Sequence, residues 1–436
     1  MGQVAPLTYR AWLMVVGSAE ELVRGEHTSV ASDDGSRRRS ILLVAPEWPH
    51  PPTWGFAMRV YNLAKHLSSR HRVSLLAYDG GNTETAQNGS PSIFESVDFV
   101  KRPAAVRSKR RAQAESLLSS RSYHVGGLRS VEMESALQDL LARRSFDIVQ
   151  LESSQMAFCT RFSDVPVALD EHNIEYLLLR RLAEVEASPA RKAFGYVEAA
   201  KVRLEEVRAW ARSDGSIFTS TADLDVMRAA LPAKPACVVP NGVDLDYFRP
   251  VADEPERSTV VFTGSINYRP NTDAVAFFVR DVMPRLLRLN PSTRFVVVGQ
   301  GAPDWLLRMS GANVEFTGAV SDVRPYLARA AVVIAPLRVG SGTRLKILEA
   351  LAMEKPVVTT SIGCEGLAMV DGEHLVVADD PQSFAEETAR LMSDRNRAAE
   401  MGRSGRALAE RDYSWSVIVH RLEQFHSQLI SKETRV

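Results

Sequence analysis

An α/β protein with two doubly wound parallel sheets is what this sequence predicts, and three observations carry the prediction. From Ser40 onward, short apolar runs alternate with amphipathic stretches, as βαβ units require. The chain has 436 residues, enough for two to three domains, and 45% of them are apolar, which supports sizeable cores. Pro240-Asn241-Gly242 after Val238-Val239 is a turn by its own chemistry, and the alternation resumes at Thr259.

Residues 1–39 mix small and charged side chains and end in SDDGSRRRS, so they read as an extension before the first strand. Within them Ala11–Gly17 is apolar, but it is far shorter than the roughly 18 residues a membrane helix needs. Ile41–Ala45 is the first strand. A loop EWPHPPTWG follows, then a helix on which Val60, Leu63, Ala64 and Leu67 share a face, then a strand over Val73–Ala77. Further on, Phe146–Leu151 and Val165–Asp170 are strands. The second of these leads into Glu171-His172-Asn173, which puts His172 at the carboxyl end of a strand, where ligands of open α/β sheets collect. His172 equally suits a cap for the helix that begins near Ile174. Residues 177–212 form one long helical region, broken near Ser188-Pro189. Its acids, among them Glu198 and Glu206, alternate with bases as on a solvated face.

The second half opens with Thr259–Thr263 and a turn from Gly264 to Asn271. Strands over Phe295–Val298 and Val314–Gly318 follow. The most informative stretch is 331–358. Ala331–Ala335 is a buried strand stopped by Pro336, Gly340 and Gly342 let the backbone close on a ligand, and Leu345–Met353 has helical apolar spacing. Such a loop delivers free N–H groups at a helix start, where an anion is favoured. Arg344 and Lys346 stand at that same start, opposing the helix dipole unless an anion is bound, and a diphosphate resolves the conflict. Glu349 sits among Ile347, Leu348, Ala350 and Leu351, so it needs a partner, and a ribose diol supplies two donors.

Several function classes are excluded or disfavoured. With 53 basic and 53 acidic residues, no global field draws the chain to nucleic acid. Phe295–Gly301 opens like a dinucleotide fingerprint, yet Asp304 occupies the position of the third glycine, which argues against a dehydrogenase. Cys159, Cys237 and Cys364 give neither a zinc pattern nor a disulfide framework, which points to a reducing, cytoplasmic setting. The Asp244-x-Asp246 pair beside the turn ties the linker, and Asp223-x-Asp225 is the first turn of a helix after Ser220 and Thr221.

These motifs resemble the retaining glycosyltransferases of the GT-B fold, in particular glycosyltransferase family 4. The match rests on Leu348, Glu349, Ala350, Ala352, Pro356, Val357 and Val358, on Pro240-Asn241-Gly242-Val243, on the Asp170-x-His172-Asn173-Ile174-Glu175 wording, and on a terminal helix after Tyr413-Ser414-Trp415. The resemblance spans roughly residues 40–430. It departs from the family at Ser341, where the first of two glutamates stands, and at Ser265, where an arginine follows the glycine.

The resemblance implies two Rossmann-like domains facing across a cleft, 40–242 on the acceptor side and 243–412 for the nucleotide sugar, with 413–436 crossing back. It implies no metal and no cofactor, and a UDP- or GDP-sugar donor. His172, Arg344 and Lys346 would carry the chemistry. Gly55, Gly264, Arg269, Gly340, Ser341, Gly342, Thr343 and Glu349 would bind the donor, with Arg59 and Trp54 in reach of the cleft. The acceptor, walled by residues 46–58 and 80–125, is a glycan, a lipid-linked sugar or a small molecule. Peripheral contact with the inner membrane face is expected through the bases at 177–212 or through Lys101, Arg102, Arg107, Lys109, Arg110 and Arg111. A GT-B-shaped partner subunit without catalysis is the alternative, and an epimerase of the same fold is a further one.

Overall fold

The computed structural model describes residues 37–433 except 53, 80–91, 104–112, 114, 120, 124–127, 163, 252–255 and 341–343. Residues 1–36 of the expected extension, its apolar run, most of the 80–125 wall and the bases at 107–111 therefore lie outside the described residues.

Two parallel sheets organise the chain, as the alternation predicts. The first contains β1 (Ser40–Ala45), β2 (Arg72–Asp79), β3 (Ser96–Lys101), β4 (Ile148–Glu152), β5 (Val167–Glu171), β6 (Gly215–Phe218) and β7 (Ala236–Val238) in the order β3-β2-β1-β4-β5-β6-β7. The second contains β8 (Thr259–Thr263), β9 (Arg294–Val298), β10 (Val314–Gly318), β11 (Val332–Ala335), β12 (Val357–Thr359) and β13 (Val376–Val377) in the order β10-β9-β8-β11-β12-β13. Each sheet reverses its winding once, between β1 and β4 and between β8 and β11, and a crevice opens at such a switch point.

The central strands β1, β8 and β11 read as apolar runs because both faces are covered. Leu42 and Val44 enter the core with Trp210 and Phe218, whereas Ile41, Leu43 and Ala45 enter the opposite core with Val60 and Leu63. In the second sheet Val260 and Phe262 pack toward Phe278 and Phe295, and Val261 packs toward Ile347 and Leu351.

The helix Trp415–Glu433 returns to the first sheet, where Trp415, Ile418, Val419, Leu422 and Phe425 join Val60, Leu63 and Leu67 of the helix Gly55–Ser68 in one apolar cluster. The long helical region breaks where Ser188-Pro189 suggests, into Glu175–Glu184 and Pro189–Arg212, with Pro189 starting the second helix. Glu198 and Glu206, expected on a solvated face, are buried. The reason is that each accepts backbone N–H groups. Glu206 accepts the N–H groups of Glu175 and Tyr176 at 2.8 and 3.0 Å, satisfying the open end of the preceding helix, and Glu198 accepts from the N–H of Tyr123 at 2.7 Å.

Candidate active site

The candidate site residues collect at the carboxyl ends of β1, β4, β5, β8 and β11. In the first domain, β5 ends in Asp170-Glu171 and turns at His172. Its ring stacks on Phe56 with centroids 5.0 Å apart and planes 26° from parallel. Nε2 of His172 lies 2.9 Å from Oε2 of Glu152 and 3.8 Å from Oδ2 of Asp170. Burial raises the Glu152 carboxyl above its ordinary value, and the hydrogen bond from His172 partly opposes this. Sequence reading missed Glu152, although it stands at the end of β4, beside the switch point, where an ionisable group is a signal.

Arg59, expected within reach of the cleft, is instead a buried strut. Its Nε and Nη2 grip the two Asp170 oxygens at 2.9 and 2.8 Å, and its Nη1 donates to the Pro240 carbonyl and Asn241 Oδ1 at 3.2 and 3.1 Å. The guanidinium thus ties the interdomain turn to β5. Trp54 donates through Nε1 to Glu47 at 3.1 Å. Ligand atoms of Glu152, Asp170 and His172 lie within 4.8 Å of one another, a spacing that suits a cation. The Arg59 guanidinium already compensates Asp170 there, so the cluster reads as an ion-pair network.

The second domain brings Gly264, Lys346 and Asn271 together. Gly264 has φ +141°, and a Cβ there would stand 3.0 Å from Lys346 Nζ and from Asn271 Nδ2. Only glycine fits both the dihedral and the space. Lys346 Nζ donates to Asn271 Oδ1 at 2.8 Å and sits 3.8 Å over the Phe262 ring. Burial draws Lys346 down to about 7, with Glu349 opposing and Arg344 assisting. Glu349, three residues along the same helix, is raised by burial to about 7, with Lys346 opposing. Gly340 has φ +159°, and a Cβ on it would collide with the Arg344 guanidinium. Burial lowers the Arg344 pKa, while Tyr268 and Glu365 hold it up. Ser341, Gly342 and Thr343 lie outside the described residues.

The two domains meet at this site. A Cβ on Gly55 would stand 3.9 Å from Leu345 at the start of the Leu345–Ala352 helix. Arg181, on the helix after His172, pairs with Glu365 and donates to the Gly340 carbonyl. Arg269 is not gathered with Lys346: its half-exposed guanidinium reaches Glu186 of the first domain at 2.9 Å. Asp244 accepts the N–H groups of Asp246 and Tyr247 at 3.2 and 3.0 Å, tying the linker as its spacing suggests. A separate surface cavity of about 630 Å³, lined by His66, Arg70, His420 and Arg421, includes none of these groups.

Two family models match the chain, one described as glycosyltransferase family 4 over residues 55–247 and one as glycosyl transferases group 1 over residues 257–394. The chain belongs to this glycosyltransferase family. Among curated relatives of this glycosyltransferase, a glycogen synthase of Mycobacterium tuberculosis is 24% identical over 409 residues, covering 87% of this chain and 92% of the relative. An uncharacterised 44.6 kDa protein of the Klebsiella pneumoniae cps region is 22% identical over 360 residues, covering 79% and 89%. Sucrose-phosphate synthase from Thermosynechococcus elongatus has the same fold, with a TM-score of 0.70 at 17% identity, covering 91% of this chain and 100% of that one. Anabaena HepE, solved with UDP and glucose, aligns with a TM-score of 0.63 at 16% identity, covering 89% and 99%. Both sheets are those of GT-B glycosyltransferases. No helix among the described residues is long and apolar enough to cross a membrane.

Proposed function

We propose that this glycosyltransferase is a retaining enzyme that moves a sugar from a UDP- or GDP-sugar to a glycan, lipid-linked or small-molecule acceptor. One observation carries the reading: Lys346, Asn271 and Gly264 form a small cationic cradle with Glu349 on the same helix. A half-buried ammonium and a half-buried carboxylate three residues apart, each shifted toward neutrality by desolvation, suit a ligand that brings an anion and a diol together. A nucleoside diphosphate is such a ligand. HepE was solved with UDP-glucose, and a Corynebacterium glutamicum relative, 28% identical over 205 residues and matched over 54% of its length, is a GDP-mannose-dependent mannosyltransferase.

In this proposal residues 40–242 hold the acceptor and 243–412 the donor. Arg344, Lys346 and the N–H groups of the loop at 340–344 stabilise the departing diphosphate, the kind of electrostatic help that usually dominates. Glu349 anchors ribose, and His172 contacts the sugar. No metal is required, and the work is done in the cytoplasm or at the inner membrane face. Calorimetric titration with UDP and with GDP tests it, repeated on Glu349→Ala. Micromolar binding of one nucleotide, lost in the variant, supports the donor site and selects the base. Binding of neither overturns it in favour of an inactive GT-B partner, the reading to which Ser341 and Ser265 point.

A further inference from the structure

A line of buried polar side chains runs from the C-terminal helix to His172. Nε2 of His426 lies 2.8 Å from Oε1 of Gln150, Nε2 of Gln150 donates to Oε1 of Glu152 at 2.8 Å, and Oε2 of Glu152 lies 2.9 Å from Nε2 of His172. Gln150 and Glu152 have no exposed surface and His426 has 1%, so only His172 emerges toward the cleft. The line joins positions 276 residues apart in sequence.

Its directionality follows from donor and acceptor counting. An ionised carboxylate only accepts. In its ionised form, which the His172 hydrogen bond and the Arg59 charge favour against burial, Glu152 takes the Gln150 amide N–H on one oxygen and the His172 ring N–H on the other. With its amide nitrogen so committed, Gln150 presents its oxygen to His426, which must carry its proton on Nε2. Burial, with Arg39 and His71 nearby, keeps the His426 ring neutral by drawing its pKa down to about 3. Every link thus has one sense, and the last fixes a proton on Nε2 of His172. Phe56 fixes the plane of the same ring.

We propose that Glu152, braced through Gln150 by His426 of the C-terminal helix, is a positioning residue that sets the proton and the ring rotation of His172. The C-terminal helix then does more than cover apolar surface, because it reaches the site through hydrogen bonds. A purely structural network would hold the helix down but leave the His172 ring proton indifferent to substitutions two links away. The role of His172 toward the sugar rests on the function proposed above; the orientation of its ring does not.

The test is proton NMR of the full chain labelled with ¹⁵N at histidine, with the His172 ring signal assigned as the one lost in His172→Gln. The expected result is a ring N–H on Nε2, displaced downfield and slow to exchange with solvent, that disappears in Glu152→Leu. In Gln150→Met and His426→Leu it exchanges at least about tenfold faster, and in His426→Gln, which restores a donor, it is protected again. Absence of a protected Nε2 proton in the unsubstituted protein overturns the proposal, as does unchanged exchange in Gln150→Met. Should His426→Leu fail to fold, Gln150→Met cuts the same line one link closer. No donor is needed, so failure of UDP and GDP to bind the same samples would remove the nucleotide-sugar reading and leave this result standing.

Discussion

Arg181 and Glu365 form a two-pronged ion pair between the domains, with Nη1 and Nη2 on the two carboxylate oxygens at 2.6 and 2.7 Å, and the same Nη1 also donates to the Gly340 carbonyl. Gly340 opens the loop proposed to hold the diphosphate. The side chain that pairs across the domains therefore also holds the Gly340 carbonyl. The hydrogen bonds it donates to Glu365 raise the Arg181 pKa.

Arg181→Met is expected to weaken nucleotide binding several-fold while costing only about 1 kcal/mol of stability, since both partners remain about one-third exposed and solvent screens them. A double-mutant cycle with Glu365→Gln, read by calorimetry and by urea unfolding, checks this. Equal losses in binding and stability would show that the pair serves folding alone.

Arg59 and Asp170 present the opposite case, with side-chain exposures of 1% and 0%. Asp170→Asn leaves a buried guanidinium without its countercharge, which is expected to cost about 3–5 kcal/mol in urea unfolding. Replacing both, as Arg59→Met with Asp170→Leu, is expected to cost less than the single change, because no charge is then stranded. A double variant worse than Asp170→Asn would contradict this.

The buried strut also shows where sequence reading stops. The two sheets were legible because fully covered strands appear as continuous apolar runs, and the cradle was legible because Gly264, Lys346 and Glu349 lie in local patterns. Pairings across the fold have no local signature. Arg59 and Asp170 are 111 residues apart and Gln150 and His426 are 276, so nothing near any of them announces its partner. Arg269 illustrates the reverse: the family resemblance suggested it for the phosphate, whereas here its side chain reaches outward to Glu186. Glu206 reads as a surface acid by alternation, yet the helix start at Glu175 claims it.

That acid belongs to a buried group with a consequence for pH. Burial pushes the Glu171 carboxyl up to about 8, opposed by bonds from Trp210 and from the Ser154 N–H, and Glu206 is raised in the same way, with Glu171 as a like-charged neighbour. A carboxyl whose pKa rises from 4.5 in the unfolded chain to about 8 on folding keeps its proton in the folded state between those values. Its contribution to stability is complete below the lower value and is lost as pH rises toward the upper one. Urea unfolding at pH 5, 6 and 7 is expected to show falling stability, by at most about 1.4 kcal/mol per pH unit for each proton held. Glu171→Gln, which cannot ionise, is expected to flatten the slope. A slope unchanged by the substitution would mean that Glu171 is already ionised in the folded protein.

Lys346 makes the proposed donor site itself sensitive to pH. Its pKa is drawn down to about 7, so the free protein loses the ammonium as pH rises through neutrality. A diphosphate favours the protonated form, hence binding above pH 7 must take up a proton, and affinity is expected to fall by up to about tenfold per pH unit. Glu349 also titrates near 7 and works in the opposite sense, since ionisation improves it as an acceptor for ribose hydroxyls. The ammonium should dominate, because it meets a charged group whereas Glu349 meets neutral hydroxyls. Titration with UDP or GDP between pH 7 and pH 9, above the phosphate's own pKa of about 6, separates the protein's proton from the ligand's. Running it in buffers of different ionisation enthalpy counts the proton taken up. In Lys346→Met the fall of affinity with rising pH and the proton uptake should both vanish, leaving only the opposite trend from Glu349; an affinity that still falls with pH in this variant would assign the proton to another group.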